Sequence, residues 1–471
     1  SISTMGHRPQ ERRLMVFVDA AGGGIQSAGW TAEVLTRLDE RYGTGFSDRV
    51  VQISSVSGGS VGNLMYLAGH QGLRRFHSDI DARIATPQFV GISSRSSVAQ
   101  SRLLDPGNAA WIRDAATRPA LKDVVWGLAY PDLVRYMVPN LSPPTIDRGW
   151  ALENAWRRAL DEPASGAAFG SSRTRYGSDT RMVHLADAVR TGDLPIPVFN
   201  ATSVESGRRV LLSPVLFPKH DVTGIPFDQY ADQAPRGLLP MVTAARLSSL
   251  FPVVSPNTRG LFVQRPDGDQ NHAGHGAKDP STQNPTADRP TSWLEENHMA
   301  DGGYTDNEGL LATIESIRIM VQQYEDLRNR DPQVPPLEIL LIRIEGFPID
   351  HGEGPMQPNQ APSFSSWFGP LLTMMNVRVA SQQERGEIEL DLLQQGLPSD
   401  VTLHPIMFEF RPHDGIEFLP LSWRLTPTQK GSYREVWNRF VNEADQAARQ
   451  AMPPRELNPV MQTDLFFPVR K

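Results

Sequence analysis

Val50-Val51-Gln52-Ile53-Ser54-Ser55-Val56-Ser57-Gly58-Gly59-Ser60-Val61-Gly62-Asn63-Leu64-Met65-Tyr66-Leu67 is the stretch on which the fold turns. An apolar, β-branched segment runs straight into small residues and then into a second apolar segment. That order predicts a buried strand, a sharp turn and a helix. A serine on such a turn has its hydroxyl pushed out at the top of a sheet, and the helix start behind it offers backbone N–H groups with no partner inside the helix. Small neighbours let a substrate come close to a strained turn. The stretch reads as the nucleophile elbow of a serine acyl hydrolase. A Gly/Ser helix start without chemistry is the bland alternative.

Two serines compete for the role. The G-x-S-x-G pattern, read literally, falls on Gly58-Gly59-Ser60-Val61-Gly62 and picks Ser60. The expected geometry favours Ser57, because it directly follows the last strand residue, Val56, whereas Ser60 would lie about a turn into the helix. Choosing Ser57 means that Ser55 stands where the pattern has its leading glycine.

Two further segments belong with this one. In Leu14-Met15-Val16-Phe17-Val18-Asp19-Ala20-Ala21-Gly22-Gly23-Gly24-Ile25-Gln26-Ser27 an apolar strand ends in three glycines, and a helix is expected over 30–38. Glycines at a helix start let backbone N–H groups point at an anion, either a phosphate or the oxyanion of an ester under attack. A dinucleotide site is the rival. Its G-x-G-x-x-G fingerprint fails at Ser27, and the next strand leads to Ser57 rather than to an acidic residue. In His298-Met299-Ala300-Asp301-Gly302-Gly303-Tyr304-Thr305-Asp306-Asn307 an aspartate precedes two glycines, and a helix is expected over 310–324. The glycines permit a turn that carries the carboxylate toward a site, although D-G turns are common without function.

Taken in order, Gly22-Gly23-Gly24, Ser55-Val56-Ser57-Gly58-Gly59 and Asp301-Gly302-Gly303 resemble the patatin-like phospholipases, which share their core with cytosolic phospholipase A2. Other stretches fit the same resemblance: Asp147-Arg148-Gly149-Trp150-Ala151-Leu152-Glu153, Phe199-Asn200-Ala201-Thr202, Ala244-Ala245-Arg246-Leu247-Ser248-Ser249-Leu250-Phe251-Pro252 and Leu419-Pro420-Leu421-Ser422-Trp423-Arg424-Leu425. The likeness spans roughly residues 12 to 440. It implies an α/β fold, a three-layer α/β/α arrangement with a central, mostly parallel sheet and a large helical insertion. Two departures matter. The family usually carries Arg or Lys after the glycines, where this chain has Gln26 and Ser27, and Ser55 replaces the elbow's leading glycine.

The resemblance implies a dyad. Ser57 attacks an ester carbonyl, Asp301 takes or orients its proton, and backbone N–H groups of the Gly22, Gly23, Gly24 and Gly58 region hold the oxyanion. A Ser-His-Asp triad is the alternative within hydrolases, with His298 as the nearest histidine in sequence. The expected activity is carboxylic ester hydrolysis of the phospholipase A or lysophospholipase type, with no cofactor and no metal. The competing class is a catalytically weak or inactive lipid-binding scaffold of the same fold, which the Gln26 and Ser55 departures favour. Expected partners are a phospholipid or another acyl-ester lipid and a membrane surface, with no nucleic acid.

Composition narrows the rest. At 471 residues one large domain with insertions, or two domains, is expected. The absence of cysteine excludes disulfides and thiolate chemistry. A net charge of −7 argues against broad nucleic-acid binding. Five lysines stand against 41 arginines, which suits bidentate phosphate contacts, although GC-rich coding is the stronger explanation. No apolar run is long enough to span a bilayer and no signal peptide is visible. The chain is expected in the cytoplasm, peripheral at a membrane, or as the soluble part of a membrane-anchored protein whose anchor was trimmed.

Along the chain, 12–471 reads as the acyl hydrolase domain, opening with a β-α-β unit over 12–70. Residues 71–190 read as a helical insertion or cap, with helices over 121–138 and 150–160. Strands are expected over 194–204, 208–216, 337–344 and 406–410. Residues 265–292 read as a flexible surface loop, and their His272 and His275 as solvated rather than metal-binding. The uncharged, aromatic stretch 363–375, with Trp367, reads either as a segment dipping into a lipid interface or as a buried helix beginning at Pro370.

Overall fold

The computed structural model describes residues 12–69, 106–138, 146–162, 177–218, 221–227, 239–250, 298–346, 365–411, 424–449, 458–467 and 469. The expected loop over 265–292 and the side chains of 365–376, Trp367 among them, lie outside the described residues.

The chain opens as the sequence predicts, β-α-β: β1 (Arg13–Ala20), α1 (Gly24–Tyr42), a single turn α2 (Thr44–Ser47) and β2 (Val50–Val56). Then comes α3 (Gly58–Gly69), and a run of helices follows: α4 (Pro106–Ala116), α5 (Leu121–Gly127), α6 (Leu133–Met137), α7 (Arg148–Asp161) and α8 (Met182–Thr191). Residues Leu128–Asp132 join α5 to α6 as a π-helical turn. Pro131 sits inside that turn and has no N–H to give the helical ladder, the usual cause of such a widening.

The second half supplies the rest of the sheet. It contains β3 (Ile196–Ser203), β4 (Arg209–Leu212), β5 (Ile225–Pro226), α9 (Met241–Ser248), β6 (Met299–Asp301), α10 (Leu310–Arg330), β7 (Leu337–Glu345), α11 (Ser365–Gln395), β8 (Val401–Glu409), α12 (Pro427–Arg449) and α13 (Pro459–Asp464). The helix expected to begin at Pro370 begins at Ser365 and runs through that proline.

The strands form one sheet in the order β5-β4-β3-β2-β1-β7-β8, with β6 added beside β3. Pairings β1/β2, β1/β7, β2/β3, β7/β8 and β4/β5 are parallel; β3/β4 and β3/β6 are antiparallel. The fold is therefore α/β with a mostly parallel central sheet. Helices cover both faces, and residue parity along the strands proves it. Val16, Val18, Leu340, Ile342, Ile406 and Phe408 face a core shared with Trp30, Leu35, Leu64, Trp437 and Phe440. Phe17, Ile339, Leu341, Val401 and Leu403 face the opposite core, with Ile314, Ile317, Leu390 and Leu393. Strands buried on both sides read as continuous apolar runs, as β1 and β7 do. Among the described helices none is long and apolar enough to cross a membrane.

Candidate active site

Sheet register brings the two distant segments together. β2 pairs with β3 only as far as Val56 opposite Asn200. β4 occupies the other edge of β3 over 199–202. β6 can then reach β3 only on the side that β2 has vacated, and it does so with Asp301 opposite Ala201. Ser57 is the residue after Val56, so it leaves the sheet where Asp301 enters it. A strand that stops early and a short antiparallel strand that takes its lane place serine and carboxylate side by side.

Ser57 sits between β2 and α3 with φ of 50°, the one positive value at a non-glycine position among the described residues. A side chain in that region is strained, at a cost on the order of 1–3 kcal/mol. The strain is held by α9. The Ser57 N–H donates to the Ser248 carbonyl at 3.2 Å and to Ser248 Oγ at 3.3 Å, and Ser249 Oγ donates to the Ser57 carbonyl at 2.6 Å. Ser60, the literal pattern match, lies in the first turn of α3. It is fully buried, its hydroxyl donating to Ser55 Oγ at 3.1 Å and sharing a hydrogen bond with Ser248 Oγ at 2.8 Å.

Asp301 is 5 % exposed. Its Oδ1 accepts from the Gly303 N–H at 2.9 Å. Burial raises its pKa from 3.8 to about 6, and the Gly303 N–H, the Ser57 hydroxyl and the Arg378 charge each pull the other way. The Ser57 hydroxyl thus faces the carboxyl closely enough to act on it, yet Oδ2 accepts no hydrogen bond of good distance and angle. Catalytic hydrogen bonds are often loose in the resting state and tighten on substrate. At neutral pH the carboxylate is ionised, with one oxygen free toward the serine.

The glycine run closes the site from a third side. Gly23 and Gly24 take φ of 142° and 60°, values that only glycine adopts cheaply. Gly23 caps α1 without any side-chain hydrogen bond. A methyl group at Gly58 would lie 1.9 Å from the Gly24 carbonyl oxygen, so the starts of α1 and α3 pack backbone against backbone. Among the described residues the N–H groups of Gly23, Gly24 and Gly58 have no hydrogen-bond partner. Gly22 differs from expectation: its N–H donates to the Asn307 carbonyl at 2.8 Å and is not free.

Several residues here carried no signal in the sequence. Asn307 follows the aspartate turn, and its Oδ1 lies 2.5 Å from where a Gly22 Cβ would be and 2.8 Å from that of Gly303. Asp306 holds the turn open for it by accepting from the N–H groups of Glu308, Gly309 and Leu311. On α11, Arg378 places its guanidinium 4.5 Å over the Tyr304 ring, and Gln382 donates to the Tyr304 carbonyl at 3.1 Å. The two departures from the family pattern are accommodated internally: Gln26 donates to the Gly346 carbonyl at 2.8 Å, and Ser55 Oγ donates to the Val198 carbonyl at 3.3 Å. His298 is half-exposed and pairs with Glu205, its Nδ1 at 2.7 Å from Glu205 Oε1. Among the described residues no group of three or more His, Asp or Glu converges as metal ligands would.

No protein-family model matches the chain, nor does any curated protein sequence. Among solved structures, VipD from Legionella pneumophila is similar at 11% identity and a TM-score of 0.27, over 91% of this chain and 67% of that one. A likeness that loose decides nothing about chemistry, which rests on the residues themselves.

Proposed function

We propose that this chain is a serine acyl hydrolase of the patatin-like type, cleaving fatty-acyl esters of phospholipids or lysophospholipids. The observation that carries the reading is the meeting of Ser57, strained at φ of 50°, with the desolvated Asp301 carboxylate beside the glycine loop. In the first step Ser57 Oγ attacks the ester carbonyl carbon and its proton passes to Asp301 Oδ2, the carboxylate oxygen without a partner. Charge develops on the carbonyl oxygen, and the free N–H groups of Gly23, Gly24 and Gly58 stabilise it at two helix starts. The C–O bond then breaks, the alcohol leaves with the proton from Asp301, and an acyl-serine remains. Water, deprotonated by Asp301, attacks the acyl-serine, releases the fatty acid and restores the serine.

The scheme uses no histidine, and His298, the nearest to Asp301 in sequence, is engaged with Glu205. Gln26 and Ser55, the departures that favour an inactive scaffold, donate to the Gly346 and Val198 carbonyls and not to Ser57 or Asp301. The deciding experiment is fluorophosphonate labelling with peptide mapping. Modification at Ser57, lost in Ser57→Ala together with ester turnover, supports the scheme. Modification at Ser60, or turnover that survives in Ser57→Ala, sinks it.

The membrane surface partner has its own support. Val125, Trp126, Leu128, Tyr130, Leu133, Tyr136 and Met137 are exposed on the α5–α6 segment, beside Trp150 of α7. Trp126 packs against both Tyr130 and Trp150. The ionic groups around them neutralise one another, Asp132 with Arg135 and Arg148, and Asp123 with Arg158. A face rich in Trp and Tyr, with the exposed cation Lys122 beside it, suits the headgroup depth of a bilayer. α5 packs on α7 and α7 on α9, the helix that holds Ser57. This face is the proposed lipid-contact surface.

A further inference from the structure

We infer that Arg378 of α11, on a helix that Gln382 fixes to the aspartate turn, forms an anion subsite beside the dyad, so that the preferred substrate is an acyl ester bearing a phosphate group near the scissile bond. The inference rests on the hydrolase reading above and adds what that site selects.

Arg378 and Gln382 stand four residues apart on one face of α11. Gln382 Nε2 donates to the Tyr304 carbonyl at 3.1 Å and the Gly303 carbonyl at 3.4 Å, which locks the helix onto the Asp301-Gly302-Gly303 turn. The Arg378 guanidinium lies over the face of Tyr304, a ring at the protein surface. Arg378 is thus close enough to Asp301 for the two charges to act on one another.

Its lack of a counter-ion among the described residues is the unusual feature. The other buried or half-buried arginines near the sheet are paired: Arg343 with Glu308 and Glu387, Arg209 with Glu315, Arg246 with Glu153. Arg378 makes no salt bridge among the described residues, and its Nε is buried without an acceptor. The charge that acts on Arg378 besides the Tyr304 hydroxyl is Asp301 itself. A desolvated cation without a partner is costly, and a structure keeps one where a ligand will supply the missing charge. A guanidinium presents a fork of donors that fits a phosphate bidentately. Arg378 also offsets the repulsion that the ionised Asp301 would exert on an anionic substrate.

The test uses two soluble esters, monobutyrylglycerol 3-phosphate and monobutyrylglycerol, with wild-type protein, Arg378→Gln and Arg378→Lys. Charge-assisted hydrogen bonds of this kind support a preference of about tenfold to a hundredfold in kcat/KM for the phosphate ester. Arg378→Gln is expected to collapse that ratio through KM, and Arg378→Lys to restore part of it. Inorganic phosphate competing with the neutral ester in wild type but not in Arg378→Gln identifies a site that takes free phosphate. Lack of competition, with the ratio still collapsing, identifies a site that takes phosphate only when tethered to the acyl chain. A ratio unchanged in Arg378→Gln, or equal losses on both esters with a shifted pH profile, would overturn the subsite and make Arg378 a positioning residue for Asp301. Calorimetry of the phosphate ester on Ser57→Ala keeps the two readings apart. Binding that disappears in Ser57→Ala/Arg378→Gln supports the subsite even if hydrolysis proves to be wrong, and equal binding to both variants removes it even if hydrolysis is right.

Discussion

Replacing Asp301 by Asn is expected to make the protein inactive and, above neutral pH, more stable. The carboxyl titrates at about 6 in the folded state against 3.8 ordinarily. Between those values the folded state holds more protons than the unfolded chain, so stability falls as pH rises. The contribution is complete below about pH 4 and gone above about pH 6. Integrated over that window, the ionised carboxylate costs the folded protein about 3 kcal/mol. An amide does not titrate and keeps the Oδ1 acceptor for the Gly303 N–H. It gives up the attraction of Arg378 and sets an NH₂ group where the free oxygen was, so about 1–3 kcal/mol of the cost is recovered at pH 8. Urea unfolding of wild type and Asp301→Asn at pH 4 and pH 8, with matched m-values, measures the difference directly. The gain should be near zero at pH 4 and appear only as the wild-type carboxyl ionises. Ester turnover should drop by about 10²–10⁴ in the same variant, the share typical of a general base. A variant that loses stability at pH 8, or gains equally at both pH values, would show that Asp301 is not desolvated and that the raised pKa has no place in the mechanism.

Other outcomes follow from the same geometry. The pH profile of kcat/KM for a soluble ester should rise with a single step near pH 6 as Asp301 becomes a base, and a step that survives in Asp301→Asn would assign it to another group. Ser57→Gly should abolish turnover yet raise stability by about 1 kcal/mol, because glycine adopts φ of 50° without a Cβ penalty; a loss of stability would mean the elbow is not strained. Gly58→Ala should destabilise by about 3 kcal/mol, since its methyl group meets the Gly24 carbonyl backbone, and an unchanged unfolding midpoint would refute that close approach. Trp126→Glu should lower the ratio of vesicle-lipid to soluble-ester turnover. Roughly 100 Å² of exposed ring at about 25 cal/mol per Å² is worth about 2–3 kcal/mol of membrane affinity, and an unaltered ratio would remove this face from lipid contact.

The sequence by itself determined the elements whose cause is local. The β-α-β opening, the strand that ends at Val56, the helix behind the glycines and the apolar strand β7 are legible because period and turn chemistry act over a few residues. The preference for Ser57 over Ser60 as the elbow residue belongs to the same class, since one follows the strand and the other lies a turn into the helix. The π-turn at Pro131 and the start of α11 at Ser365, ahead of its proline, were not legible, because a proline read locally marks a helix start or break, whereas both helical runs continue through it. Only the tertiary structure decided how the pieces meet. Ser57 and Asp301 become neighbours because β2 stops one residue short of the place where β6 joins β3, and strand register depends on the whole sheet. The same assembly spends the Gly22 N–H on Asn307 and, among the described residues, leaves those of Gly23, Gly24 and Gly58 without partners. Arg378 comes near Asp301 from a helix far along the chain, and its want of a counter-ion among the described residues is a property of that neighbourhood that no stretch of sequence encodes.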